Sequence, residues 1–417
     1  ARQAHMEMSD VPMVDHGAYA MLGNDDLLLE LLAGGAEQAL INNYVAWTIQ
    51  ATQAIGLKVV NPGGISAFKF NQRALDVDEE HTHFKLTPRK IIRSLAHALH
   101  ELQVPHPLHV HCSNLGIPGN VKSTLATIDA ADGLPVHLTH LQFHSYGNDG
   151  PRKFSSAAMQ IAEAVNANPN VTVDVGQIMF GQTVTSSGDT QAQWRGTAHA
   201  SPKRSVLMDI ECDAGCGVVP FRYRDKSYVN AMQWAIGLEL FLSIKDPWRI
   251  FLTTDHPNGA PFTSYPHLIR LLMDRDFRNH HFDRLGDDIA ESSALRDMQR
   301  EYTVDEIAIM TRAAPARILG LTDRGHLGAG AVADLVAYRD NTDREKMFAT
   351  PVFVFKDGLQ TVSDGKIQRV VPGNLHRVQP DYDRSIETTV QAHFERAQTM
   401  HLENFRLSND EVCDCAS

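Results

Sequence analysis

Cysteine is scarce in this chain, and what there is has no regular spacing: Cys112, Cys212, Cys216, Cys413 and Cys415. An odd, irregular set excludes the disulfide framework of a small secreted domain and suits a reducing cytoplasm. Cys212 and Cys216 could pair on a metal, but two further soft ligands are missing. Positive charge is also short, with 38 Lys and Arg against 50 Asp and Glu and a net charge of −12. A nucleic-acid partner held by phosphate neutralisation is therefore not expected. No apolar run reaches the ~18 residues of a membrane span, so no membrane insertion is expected. A basic-then-apolar leader, an internal repeat and a low-complexity tract are lacking too. The first residue is Ala1, as in a fragment, a processed chain or a truncated gene.

What remains is ordinary for a globular protein: 43% hydrophobic and 21% charged residues in 417 positions, enough for a large core. "AEQALINNYVAWTIQATQA" from Ala36 has helical spacing, with Gly56 as its stop, and "LKVVN" follows as a short strand. "TPRKIIRSLAHALHELQV" opens with Thr87 as N-cap and Pro88 at the first helical position. "LHVHC", "VHLTHLQ", "VTVDVGQ" and "RIFLTTDHPNG" read as strands, and "YVNAMQWAIGLELFLSI" from Tyr228 as a helix. The alternation predicts α/β architecture with a parallel sheet and crossover helices. "VFVFKDGLQTVSDGKI" from Val352 reads as a hairpin with two Asp-Gly turns, and Arg384–Arg406 as one amphipathic helix.

The strands share a pattern: an apolar run, a reactive residue, then a loop rich in Gly, Asn, Pro or Ser. Lys58 precedes "VVNPGG", His111 precedes "CSNLGIPGN", His140 precedes "LQFHSYG" and Asp255 precedes "HPNGAPF". Reactive groups at the carboxyl ends of successive strands are what a (β/α)8 barrel offers. An Asp in that place can simply cap a turn; it can also bind a metal and take a proton from metal-bound water. A lone histidine is more often structural, but two on neighbouring strands beside a later Asp match a catalytic zinc set. His109 and His137 lie two positions earlier on the same strands, one layer deeper. His144 lies beyond the strand end, as a substrate contact or as a rival of His140 for the metal. A buried Lys58 must lose its proton or be modified, and a neutral amine can take up CO2 to give a metal-bridging carbamate. Lys69 competes with it in a similar strand context. His81 and His83, in "DVDEEHTHF", read as part of a solvated loop.

Together these residues resemble the amidohydrolase superfamily. "LKVVNPGG", "HVHCSNLGIPGN", "HLTHLQFHSYG", "VDVGQIMFG", "GCGVVPF", "QWAIGLELFL" and "TTDHPNGAPFTSYP" resemble component A of formylmethanofuran dehydrogenases and the hydrolase component of the bacterial formyltransferase/hydrolase complexes, from about residue 20 to 375. "GHLGAGAVADLVAY" and "VFKDGL" resemble the closing β-segment of amidohydrolases in general. The resemblance implies a (β/α)8 amidohydrolase barrel over residues 1–325, a C-terminal β-segment over 326–375, and a terminal helix and tail over 376–417. It implies a two-zinc centre bridged by carboxylated Lys58. His111 and His140 would be ligands, and Asp255 ligand and catalytic acid/base; by loop position, His144 or Asn114 would hold the formyl oxygen. The implied reaction is hydrolysis of the N-formyl group of formylmethanofuran or formylmethylofuran to formate, in the cytoplasm, alongside the other subunits of the complex.

The family also opens with a His-x-His pair on the first barrel strand, and nothing upstream of Lys58 supplies one; His5 and His16 have the wrong context. The expectation is therefore a chain without the family's first quarter, with an incomplete barrel and four of six metal ligands. A catalytically incomplete scaffold within such a complex, or a cyclic amidase akin to dihydroorotase or hydantoinase, are the alternatives.

Overall fold

Six apolar segments pair side by side in chain order: β1 (Tyr19–Met21), β2 (Gly56–Val60), β3 (Leu108–His111), β4 (Val136–Leu138), β5 (Val171–Asp174) and β6 (Ile250–Phe251). All five pairings are parallel. Parallel neighbours need a crossover, and each link carries a helix: α1 (Gln38–Ala51), α2 (Pro88–Glu101), α3 (Val121–Ala130), α4 (Ala158–Ala167) and α5 (Tyr228–Ser243). Strand order that follows chain order, with a helix in every link, is the wall of a (β/α) barrel. Among the described residues the wall has six strands, with β1 and β6 at its edges. The computed structural model describes residues 1–11, 13–150, 152–186 and 218–413. Cys212, Cys216 and Cys415 lie outside them; Cys112 is a buried free thiol.

Side chains alternate across a strand, so register decides what each face carries. Leu57, Val59, Leu108, Val110, Val136, Leu138, Val171, Val173 and Ile250 point one way, under the helices, and are completely buried. Each contributes about 1.5–3 kcal/mol through that burial. The other face carries Lys58, His109, His111, His137, Thr172 and Asp174. The sheet is thus dry outside and polar inside.

Helix α2 starts as its sequence predicts: Thr87 accepts a hydrogen bond from the Lys90 amide, and Pro88 occupies the first turn. Helix α1 ends earlier than Gly56. It stops at Ala51, Gln53 turns the chain at φ 55°, and Gly56 opens β2 instead. The strand expected from Arg249 to Asp255 shrinks to Ile250–Phe251. Beyond it the backbone folds back, with the Thr254 carbonyl accepting from the Gly259 amide. The terminal helix is also broken. It runs Ile386–Ala397, Gln398 is extended, and a short turn follows at Leu402–Phe405.

A second, antiparallel sheet is made by β7 (Leu335–Ala337), β8 (Phe353–Lys356), β9 (Leu359–Ser363) and β10 (Lys366–Ile367). Its turns are Asp357-Gly358 and Asp364-Gly365, and all four residues have positive φ. That is the geometry for which Asp-Gly is selected.

Asp15 ties this sheet to the start of the chain. Its carboxylate accepts from Lys356 Nζ at 2.8 Å, His376 Nε2 at 3.0 Å and the Asn374 amide at 2.8 Å, and it also meets Arg324. Burial alone would raise its pKa, but the Lys356 hydrogen bond and the other donors pull it well below the usual carboxylate range. A depressed folded-state pKa stabilises above the unfolded value of about 4 and stops doing so as pH falls through the folded value. Because Asp15 keeps some solvent contact, Asp15→Asn is expected to cost about 1–2 kcal/mol at pH 7. Thermal melts of both proteins should show that gap narrowing below pH ~4; a gap that ignores pH would contradict the assignment.

Candidate metal centre

Two tiers of imidazole stand on the inner face. In the lower tier Lys58 is in register with His109, His109 with His137, and His137 with Thr172. Tyr19 stacks on His109 with ring centroids 4.8 Å apart, and Phe251 stacks on His137 at 5.4 Å. In the upper tier are His111, His140 and His144. Their ring centroids are 4.4 Å (His111–His140), 5.1 Å (His111–His144) and 5.2 Å (His140–His144) apart. One nitrogen from each of these three falls within 4.8 Å of the other two, and a second such group is His109, His137 and Asp174.

Local backbone geometry delivers the upper tier. His111 is the last residue of β3. His140 lies two residues past β4 in the left-handed region, at φ 36°, and opens a tight turn, Leu141–His144, whose last residue is His144. Four residues of turn therefore aim both rings at one point. Gly176 makes room for this: a Cβ there would lie 2.5 Å from the His140 Cβ. Asp255 also has a positive φ, 48°, at the point where the chain leaves β6. Asn258 steadies it, donating Nδ2 to Asp255 Oδ2 at 2.9 Å and its amide to the Asp255 carbonyl at 2.6 Å.

Burial dominates the electrostatics. It pushes His111 down to about 3, helped by the Lys58 ammonium and opposed by the Asp255 carboxylate. It pushes His140 down to about 4, with His111 adding to the effect and Asp255 opposing it. His144 falls well below the ordinary histidine value for the same first reason. Lys58 and Asp255 thus both act electrostatically on the rings of His111 and His140.

The other candidate residues are placed as follows. His144, read as a substrate contact or as a rival of His140 for the metal, is fully buried and grouped with His111 and His140. Asn114 Nδ2 donates to Ser123 Oγ at 2.9 Å, which occupies it in shaping the loop before α3. Lys69 is not on a strand: it ends the short helix Gly64–Lys69, is exposed, and pairs with Asp26 at 3.5 Å. His81 lies in a loop but is buried rather than solvated, its Nδ1 accepting from the His83 amide at 3.1 Å and the Phe84 amide at 3.3 Å. His5 bonds the Thr52 carbonyl at 2.9 Å, and His16 forms a bridge with Leu375. Asp174 is a residue that the sequence pattern alone does not single out, although "VTVD" ends an apolar strand in a carboxylate just as "IFLTTD" does.

An antiparallel ribbon, Gly181–Ser186 with Val218–Tyr223, stands beside this end of the sheet. A cavity of about 1020 Å³ lies against it, lined among others by Arg222, Arg224 and His256, the neighbour of Asp255.

Comparison with known proteins agrees with this architecture. The sequence model of an amidohydrolase family matches residues 1–368. The chain belongs to the amidohydrolase family. It is 43% identical over 412 residues to component A of the formyltransferase/hydrolase complex Fhc of Methylorubrum extorquens, covering 98% of this chain and 75% of that protein. It is 36% identical over 433 residues to protein FwdA of Methanocaldococcus jannaschii, covering 98% of this chain and 76% of that one. Among solved structures, the Methylorubrum extorquens formyltransferase/hydrolase complex with methylofuran contains a chain that superposes with a TM-score of 0.89 at 44% identity, covering 97% of this chain and 74% of that one.

The residues fit a metal. Among the described residues, His140 Nδ1 and both ring nitrogens of His144 are buried with no hydrogen-bond partner, a costly state for polar atoms that a cation would relieve. Rings with such low pKa values are neutral at pH 7, the form that coordinates. Replacing His140 or His144 by Ala is expected to lower bound zinc or cobalt by at least half, read by elemental analysis of the dialysed protein. Full metal content in both variants would contradict the grouping.

Proposed function

We propose that this chain hydrolyses the N-formyl group of a formylated methanofuran or methylofuran to formate, as the hydrolase component of a formyltransferase/hydrolase complex. The observation that carries the reading is the gathering of the buried rings of His111, His140 and His144, whose ligand nitrogens lie within 4.8 Å of one another at and just past the carboxyl ends of neighbouring parallel strands. The relatives named above support the substrate class and the partner subunits. The five irregularly placed cysteines suit a reducing compartment, and the reading sets the reaction in the cytoplasm.

Lys58, His111, His140 and Asp255 would hold two zinc ions, with His144 a further donor, and Lys58 would bind as the carbamate formed when its neutral amine adds CO2. When bound, the metal polarises the formyl carbonyl and lowers the pKa of a water molecule. Asp255 accepts the proton that the attacking water gives up. Water oxygen joins the formyl carbon, the C–N bond breaks, and formate leaves. Asp255 hands its proton to the departing amine nitrogen, so the residue ends as it began. Asn258 holds the Asp255 carboxylate in place through both steps. The buried rings exclude bulk water from the reacting carbon.

Asp255→Asn keeps the shape and removes the proton carrier. Formate release from the formylated cofactor is expected to fall by about 10²–10⁴-fold with metal still bound. Turnover within a few-fold of the wild type would refute the role. Elemental analysis of the same preparations separates this enzyme, with about two zinc per chain, from a metal-poor scaffold.

A further inference from the structure

Asp174 lies outside the ligand set above, yet it bonds the His140 amide, Thr253 and His137. It is the last residue of β5, between β4 and β6, and is buried. Its Oδ1 accepts from the His140 amide at 2.9 Å and from Thr253 Oγ1 at 2.6 Å, and its Oδ2 faces His137 Nε2 at 3.1 Å. Thr253 in turn accepts from the Gly176 amide at 2.9 Å.

We propose that Asp174 is a positioning residue for the metal centre: one carboxylate fixes the left-handed turn that carries His140 and His144 and the strand end that carries Asp255. The inference rests on the metal reading of the preceding subsection.

The geometry explains why a carboxylate is needed. His140 is held at a positive φ, which a histidine adopts at a cost, so something must hold its amide there. After β4 ends, no ladder partner is available to that amide, and Asp174 takes it. Thr253 lies just past β6 and two residues before Asp255, so the same Oδ1 fixes the backbone between them. A charge-assisted acceptor shared by two donors is a stiff link between two elements that a sheet of this brevity would leave loose. The third bond, to His137, anchors the carboxylate from below; His137 is itself held by Thr172 Oγ1 at 3.0 Å from its Nδ1. Three of the carboxylate's four lone-pair sites are thereby engaged by protein donors, which is what a support requires. Partners of this kind govern how well ligands are oriented, and their loss typically weakens metal binding about 10–100-fold.

Cobalt(II) supplies the test, because its visible bands report ligand geometry directly. The purified protein, stripped of metal, is titrated with cobalt(II) as wild type, Asp174→Asn, Asp174→Ala and Thr253→Val, with thermal melts alongside. Asp174→Ala is expected to weaken cobalt affinity about 10–100-fold and to shift the bands. Asp174→Asn, which can still accept from the His140 amide and Thr253, is expected to recover most of that loss, and Thr253→Val to show a smaller shift of the same sense. If Asp174→Ala does not fold, Thr253→Val decides: altered bands support the clamp and wild-type bands overturn it. Folded Asp174→Ala with wild-type affinity and spectrum overturns the clamp alone. A wild type with no cobalt spectrum overturns the metal reading and the clamp together, which is a distinguishable result.

Discussion

The interior of this sheet is built around an expensive choice: several imidazoles sit out of water with nothing apolar to gain by it. An imidazole cation buried among its like is strongly disfavoured, so the rings are forced into their neutral forms. Neutral rings then need donors or acceptors. In the lower tier His137 finds them in Thr172 and Asp174. In the upper tier His144 has, among the described residues, no hydrogen-bond partner for either ring nitrogen. The same chemistry that makes such rings costly to bury makes them good ligands.

Register is what turns a list of histidines into two tiers. A slip of one residue in β3 or β4 would send His109, His111 and His137 under the helices and bring Val110 and Leu138 inside. The completely buried outer residues make that slip prohibitive, so the core that stabilises the sheet also fixes the chemistry on its other side. The amidohydrolase relationship has the same root. A wall of parallel strands whose carboxyl ends each offer one reactive residue can keep its scaffold while loops such as Leu141–His144 adjust the ligands.

Much of this is legible in the sequence, because parallel strands buried on one face announce themselves as short apolar runs, and a polar residue at the end of such a run stands out. His111, His140 and Asp255 stand out that way, whereas Lys58 lies in the middle of its strand, two residues before the end; Thr87 as a cap and the Asp-Gly turns are legible too. What is not legible depends on backbone conformation rather than pattern. The left-handed step at His140 redirects the chain into a tight turn that brings His144 beside His140 and His111. Lys69 reads like a strand residue but follows Gly63, whose positive φ starts a helix instead. Asp174 ends an apolar strand just as Asp255 follows one, but its bonds go to backbone, hydroxyl and ring groups of other segments, which the sequence does not show. His81 is hidden because its polar neighbours mask a ring that is tucked beneath them.

The account stands or falls on whether the upper tier gathers a metal. Diffraction data collected above and below the zinc edge, from crystals of the protein grown with zinc, measure this most directly. The account predicts anomalous peaks about 2 Å from ring nitrogens of His111 and His140, with Lys58 and Asp255 closing around the same ions. Absence of any peak among these residues at full zinc occupancy elsewhere, or a peak bound solely by other side chains, would contradict it.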